Sequence, residues 1–191
     1  MNGPALQRVE TERMVASRLS EADLPELLRL VRDPRVSKTL SLTGEPPDEH
    51  EVRAGLIEAI GHWELHGFGL WLLHDRVRGQ LVGRGGLQRT FVTGQDEVEL
   101  AWAIVPELWG RGLATECARA SIDAAFGPLG LGEVIAYTLP DNWASRRVME
   151  KCAFTYDRRI EAQGVGQVLY RLDGHRFGAE HAATLTPRKP L

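Results

Sequence analysis

Val105-Pro106-Glu107-Leu108-Trp109-Gly110-Arg111-Gly112-Leu113-Ala114-Thr115-Glu116 is the stretch from which the fold of this chain is read. It follows an apolar, strand-like run at 98–105. It leads into a helix-like run at 111–126 that is rich in small residues: Ala114, Ala118, Ala120, Ala124 and Ala125. Pro106 has no amide hydrogen for a ladder bond, so strand pairing must stop there. Two glycines around Arg111 then turn the chain into a helix N-terminus. The first amides of a helix have no partner within it, and the aligned peptide dipoles leave partial positive charge at that end. Glycines allow close approach to the backbone, and Arg111 adds a full charge. The stretch therefore reads as an anion site suited to a pyrophosphate.

A G-x-G turn alone is common, and its plain reading is a tight strand-to-helix connection. The longer string is more specific. Trp109-Gly110-Arg111-Gly112-Leu113-Ala114-Thr115-Glu116 resembles the acetyl-CoA-binding motif of the GNAT N-acetyltransferase superfamily, most closely the branch that includes the ribosomal-protein N-terminal acetyltransferases. Downstream, Asn142-Trp143-Ala144-Ser145 and Lys151-Cys152-Ala153-Phe154 resemble that branch's N-x-x-S helix and its Lys-x-Gly-Phe ending. The resemblance runs from about residue 12 to residue 172, with both motifs in the family's order.

The resemblance implies an α/β (α+β) fold, with a mixed, mostly antiparallel central sheet of about seven strands flanked by about four helices. It also implies which residues hold acetyl-CoA. Ala103, Ile104 and Val105 match the strand segment that bonds the pantetheine arm, as in strand addition. Trp109, Gly110, Arg111, Gly112, Leu113, Ala114 and Thr115 match the pyrophosphate turn. Asn142 matches an asparagine that bonds the coenzyme arm, its plain role being to cap the same helix, and Ser145 a serine near the coenzyme sulfur. Two positions depart from the pattern. Ala153 replaces the glycine before Phe154, a mild change where φ is negative. Glu107 stands where many members carry Gln or Arg.

At 191 residues and 43% hydrophobic, the chain is expected to form one domain, 1–191, with its core at 12–172 and an irregular tail at 174–191. A net charge of -3 offers no bulk attraction to nucleic acid or an anionic membrane. Cys117 and Cys152 lie in predicted helices and read as buried small hydrophobes in a reducing compartment. No charged start precedes an apolar run, and no apolar run is long enough to cross a bilayer. The expectation is a cytoplasmic protein, with homodimer formation.

Residues 1–10 show no pattern and read as a loose terminus. A strand is expected at 13–19, then a helix from the Ser20 cap with Leu24, Leu27, Leu28 and Val31 on one face, ended by Asp33-Pro34. Residues 37–48 carry loop chemistry, and in the family this region borders the acceptor site. Asp48 caps a helix at 49–66, stopped by Gly67. Strands follow at 68–74 and 80–88. Gly83, Gly85 and Gly86 inside the second signal close backbone approach or a bulge rather than a dinucleotide turn, since no helix follows. The central strand at 98–105 puts Glu99, Ala101 and Ala103 on one face and Leu100, Trp102 and Ile104 on the other. A strand at 134–139, a helix at 142–152 and a hairpin of 154–160 with 168–172 complete the chain.

Acetyl transfer to an amine needs a held thioester, a polarised carbonyl, a neutral amine and a protonated leaving thiol. An amide at Ile104 or Val105 can polarise the thioester oxygen. For the base, the family often places a carboxylate where Glu99 stands; the plain alternative is a solvated glutamate paired with an arginine. Glu161, His62 and His66 are weaker choices. For the acid, Ser145 competes with Tyr137 and Tyr156, and the plain role of Ser145 is to cap a helix. His62 and His66 share a helix face but lack the H-E-x-x-H pattern, so a polar face is preferred to a metal site. The leading function is an acetyl-CoA-dependent N-acetyltransferase acting on a protein or peptide N-terminal amine. The alternatives are a small-molecule amine acceptor (amino acid, polyamine or antibiotic) or a non-catalytic acyl-CoA sensor.

Overall fold

The two longest strands, β4 (Leu81–Val92) and β5 (Gln95–Ile104), are apolar and buried over much of their length and are joined by a turn at Thr93-Gly94. They pair antiparallel from Gly83↔Ile104 to Val92↔Gln95. The computed structural model describes residues 6–40, 44–162 and 164–174. Six further strands flank this pair: β1 (Arg8–Glu10), β2 (Met14–Arg18), β3 (Leu70–Asp75), β6 (Glu133–Thr138), β7 (Thr155–Ala162) and β8 (Val165–Asp173). Together they make one 8-stranded sheet in the order β1-β2-β3-β4-β5-β6-β8-β7. Every neighbouring pair is antiparallel except β5 and β6, which run parallel and meet at Glu99↔Ile135. A parallel pair needs a crossover, and α4 (Leu113–Phe126) supplies it.

Helices α1 (Leu24–Val31), α2 (Pro34–Leu40) and α3 (Glu49–His66) feed one apolar core, in which Leu27, Leu30, Val36, Val52 and Leu56 meet Leu70, Leu72, Ala103 and Val105 of the sheet. On the other face α4 and α5 (Trp143–Lys151) contribute Leu113, Cys117, Ile122 and Met149 to a core with Leu73, Leu87, Leu100 and Ile104. Strand alternation thus assigns Glu99, Ala101 and Ala103 to the α1–α3 side. Helix α4 sits directly on β4. A Cβ at Gly85 would lie 2.5 Å from Cys117 Sγ, which is the close approach expected of that glycine run. Both cysteines are free and buried, and burial pushes the Cys117 thiol up to about 12.

The sheet has one strand more than expected, and the described residues carry five α-helices instead of four. The extra strand is β1, inside the segment read as a loose terminus. Three residues are too few to show a period, and pairing with β2 (Arg8↔Ser17 to Glu10↔Val15) makes them a strand. The extra helix is α2. Asp33-Pro34 ends α1 as expected, but Pro34 also opens the next helix, where its missing N–H is one of the orphan donors anyway. Asp33 Oδ1 accepts the Arg35 N–H at 2.9 Å. Residues 37–40 are therefore helical and not loop; 41–43 lie outside the described residues, as does the expected tail beyond Gly174. Helix α3 matches its expectation. Asp48 and Glu51 exchange capping bonds of 2.8 Å, and Gly67 ends the helix at φ 74°.

Helix α5 ends in a Schellman motif. Phe154 N–H donates to Met149 O at 3.0 Å, and Ala153 N–H to Glu150 O at 3.1 Å. This geometry puts Ala153 at φ 64°, so the alanine is not in the negative-φ state that would have made it mild. A Cβ in the left-handed region costs about 1 kcal/mol or more. Ala153→Gly is therefore expected to stabilise the fold by about 1 kcal/mol, raising the melting temperature by roughly 2–4 °C in calorimetry. A lowered melting temperature would show that the motif is held without strain.

Candidate active site

The site begins beside Glu99↔Ile135, the single register pair between β5 and β6. Val105 N–H donates to Val82 O at 2.9 Å. Alternate residues of an antiparallel ladder face alternate neighbours, so Ala103 and Val105 turn their backbone groups to β4. Trp102 and Ile104 turn theirs toward β6, which pairs with β5 at Glu99↔Ile135 and no further along. The Trp102 and Ile104 amides therefore line an open seam between two parallel strands. This corrects the expectation that Val105 offers a free amide; of Ala103, Ile104 and Val105, Ile104 alone presents its N–H to the seam. The Ile104 carbonyl is already engaged, accepting the Trp109 indole N–H at 2.7 Å. Trp109, otherwise exposed, thus seals the strand end.

Beyond Trp109 the chain turns through Gly110 at φ 76° and Gly112 at φ 78°, with Arg111 exposed between them. Only glycine takes these angles without strain. Gly112 is the N-cap of α4, and Leu113, Ala114 and Thr115 supply its first, intrahelically unpaired amides. The back of the turn is held from far away in the sequence. Arg13 Nη1 donates to the Arg111 carbonyl at 2.7 Å. Glu116 accepts Thr11 Oγ1 at 2.5 Å, Arg13 N–H at 2.8 Å and Arg13 Nε at 2.6 Å. These bonds lower the Glu116 pKa against the opposing effect of its burial. They tie the β1–β2 turn to the first turn of α4. A groove of about 780 Å³ runs alongside, bordered by Arg13, Gly112, Thr115, Arg119 and Lys151. The departing residue Glu107 lies on the far side, in an ion pair of 2.6 Å with Arg35.

Asn142 caps α5. Its Oδ1 accepts the Ser145 N–H at 3.2 Å and its Nδ2 donates to Thr138 Oγ1 at 3.0 Å. The capping group is thus Asn142, not Ser145. Ser145 is partly buried, and its hydroxyl makes no hydrogen bond among the described residues.

Glu99 is 7% exposed, so it is not the solvated strand glutamate of the plain alternative. No cation among the described residues lies within ion-pair distance of it. Gln88 Nε2 donates to Glu99 Oε2 at 2.9 Å, and the Tyr137 hydroxyl faces the same carboxylate. Burial raises the Glu99 pKa above its ordinary value, and the Gln88, Tyr137 and Arg84 side chains oppose that rise. Tyr137 is pushed up to about 12, chiefly by burial and then by the neighbouring Glu99 charge. Its hydroxyl therefore stays protonated at neutral pH. From sequence Tyr137 is a candidate acid only. The register that brings it beside Glu99, β5 against β6, has no local signal in either strand.

The remaining candidates lie elsewhere. His62 Nε2 accepts the Arg89 N–H at 2.9 Å, which leaves Nδ1 to donate to Phe68 O at 2.8 Å. Both ring nitrogens are spent, and burial lowers the His62 pKa, so the ring is a neutral clasp between α3 and the sheet. His66 lies against it with ring centroids 4.5 Å apart and the rings tilted by 50°. Glu161 is exposed on β7, an edge strand separated from β5 by β6 and β8. Tyr156 is on the same edge, edge-on to Tyr170 at 5.7 Å. No described helix is long and apolar enough to cross a membrane.

Comparison with known proteins adds an independent line. Residues 13–155 match the family described as acetyltransferase (GNAT) domain. Curated relatives include an uncharacterised protein of Bacillus subtilis, 33% identical over 95 residues (50% of this chain, 55% of that one). Another is an FsC-acetyl coenzyme A-N(2)-transacetylase of Aspergillus fumigatus, 34% identical over 138 residues (68% of this chain, 57% of that one). The chain thus spans little more than half the length of these two relatives. Among solved structures, an acetyltransferase of Agrobacterium tumefaciens superposes with a TM-score of 0.76 at 26% identity, covering 88% of this chain and 95% of the other. A ribosomal L7/L12 alpha-N-protein acetyltransferase in complex with coenzyme A has the same fold, with a TM-score of 0.68 at 14% identity over 87% of this chain and 97% of its own.

Proposed function

This chain belongs to the GNAT acetyltransferase family, and on that footing we propose that it transfers an acetyl group from acetyl-CoA to the α-amino group of its acceptor, by direct attack in a ternary complex. The observation that carries the reading is the make-up of β5. One strand presents outward-facing amides at an open seam and, on its other side, a buried carboxylate with a raised pKa. Ile104 N–H polarises the thioester oxygen and stabilises the charge that grows on it. The amine nitrogen attacks the carbonyl carbon, Glu99 takes its proton directly or through water, the C–S bond breaks and the thiolate is reprotonated. Arg111, the glycine turn and the first α4 amides hold the pyrophosphate, with Trp109, Leu113, Ala114, Thr115 and Asn142 around the coenzyme. A curated relative named for N(2) transacetylation and a structural neighbour named for alpha-N-protein acetylation both favour an α-amine.

Two hydroxyls compete to reprotonate the thiolate. Tyr137 lies beside Glu99 and stays protonated; Ser145 has a hydroxyl without a partner among the described residues. Tyr137 is the better proton source, because a free serine hydroxyl is a far weaker acid. Tyr137→Phe is expected to lower kcat by about tenfold to a hundredfold, and Ser145→Ala by less. The reverse order in steady-state rates assigns the proton to Ser145.

The reading is tested by CoA-thiol release from acetyl-CoA, screened across peptides with free or blocked N-termini, amino acids, polyamines and aminoglycosides. Release with free but not blocked N-termini supports it. Acetyl-CoA binding without release for any amine points instead to a non-catalytic acyl-CoA sensor.

A further inference from the structure

The arginines that are not exposed among the described residues are Arg18, Arg84, Arg146 and Arg171. Arg18 pairs with Glu64. Arg146 donates to the Tyr170 hydroxyl at 3.0 Å and to Pro140 O at 2.9 Å. Arg171 pairs with Glu97, Glu133 and Asp157 at 2.8, 2.5 and 2.8 Å. Arg84 alone makes no hydrogen bond or ion pair among the described residues. Its Cα stands opposite Leu72 on one side and Ala103 on the other, both in the apolar core under α1–α3. Burial depresses the pKa of its guanidinium, and the Glu99 charge opposes that. A guanidinium taken out of water without a partner is costly, and the cost is removed when an anion arrives.

The anion is not the pyrophosphate of the co-substrate. The glycine turn leads into α4, which packs on the opposite face of the sheet, whereas Arg84 shares its face with Glu99. Nor does Glu99 supply it, since Gln88 and Tyr137 hold that carboxylate beyond ion-pair reach of Arg84. Arg84 and Gln88, the register partner of Glu99, are four positions apart on β4, roughly 13 Å between Cα atoms. The two charged side chains close enough of that gap for each to bias the other's proton. We infer that Arg84 receives a carboxylate of the acceptor, so that the substrate is an amine bearing a carboxylate a few bonds away. Its source is either the α-carboxylate of a free amino acid or an acidic side chain at the start of a peptide. Arg84 is then the residue that sets acceptor specificity. This rests on the acetyl-transfer reading above.

The test compares kcat/KM for matched acceptors that differ in one charge: amino acids against their primary amides, and peptides beginning with Asp or Glu against those beginning with Asn or Gln. The parent is expected to prefer the charged member of one pair by about tenfold or more. Arg84→Gln is expected to bring that ratio close to one, and Arg84→Lys to restore part of it. The pair that shows the preference names the source. Equal turnover of both members by the parent overturns the inference while leaving acetyl transfer standing, as does a ratio that survives Arg84→Gln. Absence of release with every acceptor overturns the acetyl-transfer reading itself. Acetyl-CoA affinity, measured on each variant, shows whether the fold is intact; should Arg84→Gln fail to fold, the parent's matched-pair ratios still decide.

Discussion

Glu99→Gln lowers kcat by about two to four orders of magnitude and leaves acetyl-CoA affinity unchanged in calorimetry, the result expected of a lost general base. The substitution keeps the shape and the acceptor oxygen that receives Gln88 Nε2, so packing is preserved. The pH dependence separates catalysis from structure. In the parent, burial raises the Glu99 pKa above its ordinary value of 4.5. Below the raised pKa the carboxyl carries its proton and cannot take one from the amine. The rate of the parent therefore climbs with pH through that pKa, and the variant loses this limb. Stability moves the opposite way. Between the ordinary and the raised pKa the folded state binds more protons than the unfolded state, so the parent loses stability as pH rises. Glu99→Gln carries no charge to desolvate, and it melts no lower than the parent above that window. Parental rates at every pH would make Glu99 structural.

Arg111→Glu weakens acetyl-CoA binding by about 2–4 kcal/mol, roughly 30- to 1000-fold in Kd. Two effects add. A charge-assisted contact with the pyrophosphate is lost, and a negative charge is placed where the glycine turn and the helix N-terminus concentrate positive potential. The repulsive part shrinks as salt is raised. The fold is expected to survive, because Arg111 is exposed and its carbonyl, not its side chain, takes the Arg13 bond. Calorimetric titration with acetyl-CoA at two salt concentrations reads both effects. Unchanged affinity would remove the turn from the coenzyme site.

The turn at 109–116 was legible because its shape depends on local geometry: glycine conformations and unpaired amides follow from a dozen consecutive residues. Helix α3 was legible for the same reason, its Asp48-x-x-Glu51 start and Gly67 stop being short-range signals. Glu99 was legible as a polar residue on an apolar strand, but not its burial, which depends on what covers the α1–α3 face. The Ala153 strain was hidden as well. The residue name was known, while the positive φ belongs to a hydrogen-bond pattern that only the folded helix end reveals.

The sequence by itself determined the family, the glycine turn at 109–116, and the order of strands and helices apart from β1 and α2, because period, caps and turn chemistry are properties of neighbours along the chain. Only the tertiary structure decided which β5 amides are free, since that depends on the register of β4 against β5 and on β6 pairing at one residue. It alone brought Arg13 and Thr11 to Glu116, Tyr137 to Glu99, and left Arg84 without a partner among the described residues. A contact between residues a hundred positions apart leaves no periodic trace in a single sequence; it exists because the sheet brings those strands together.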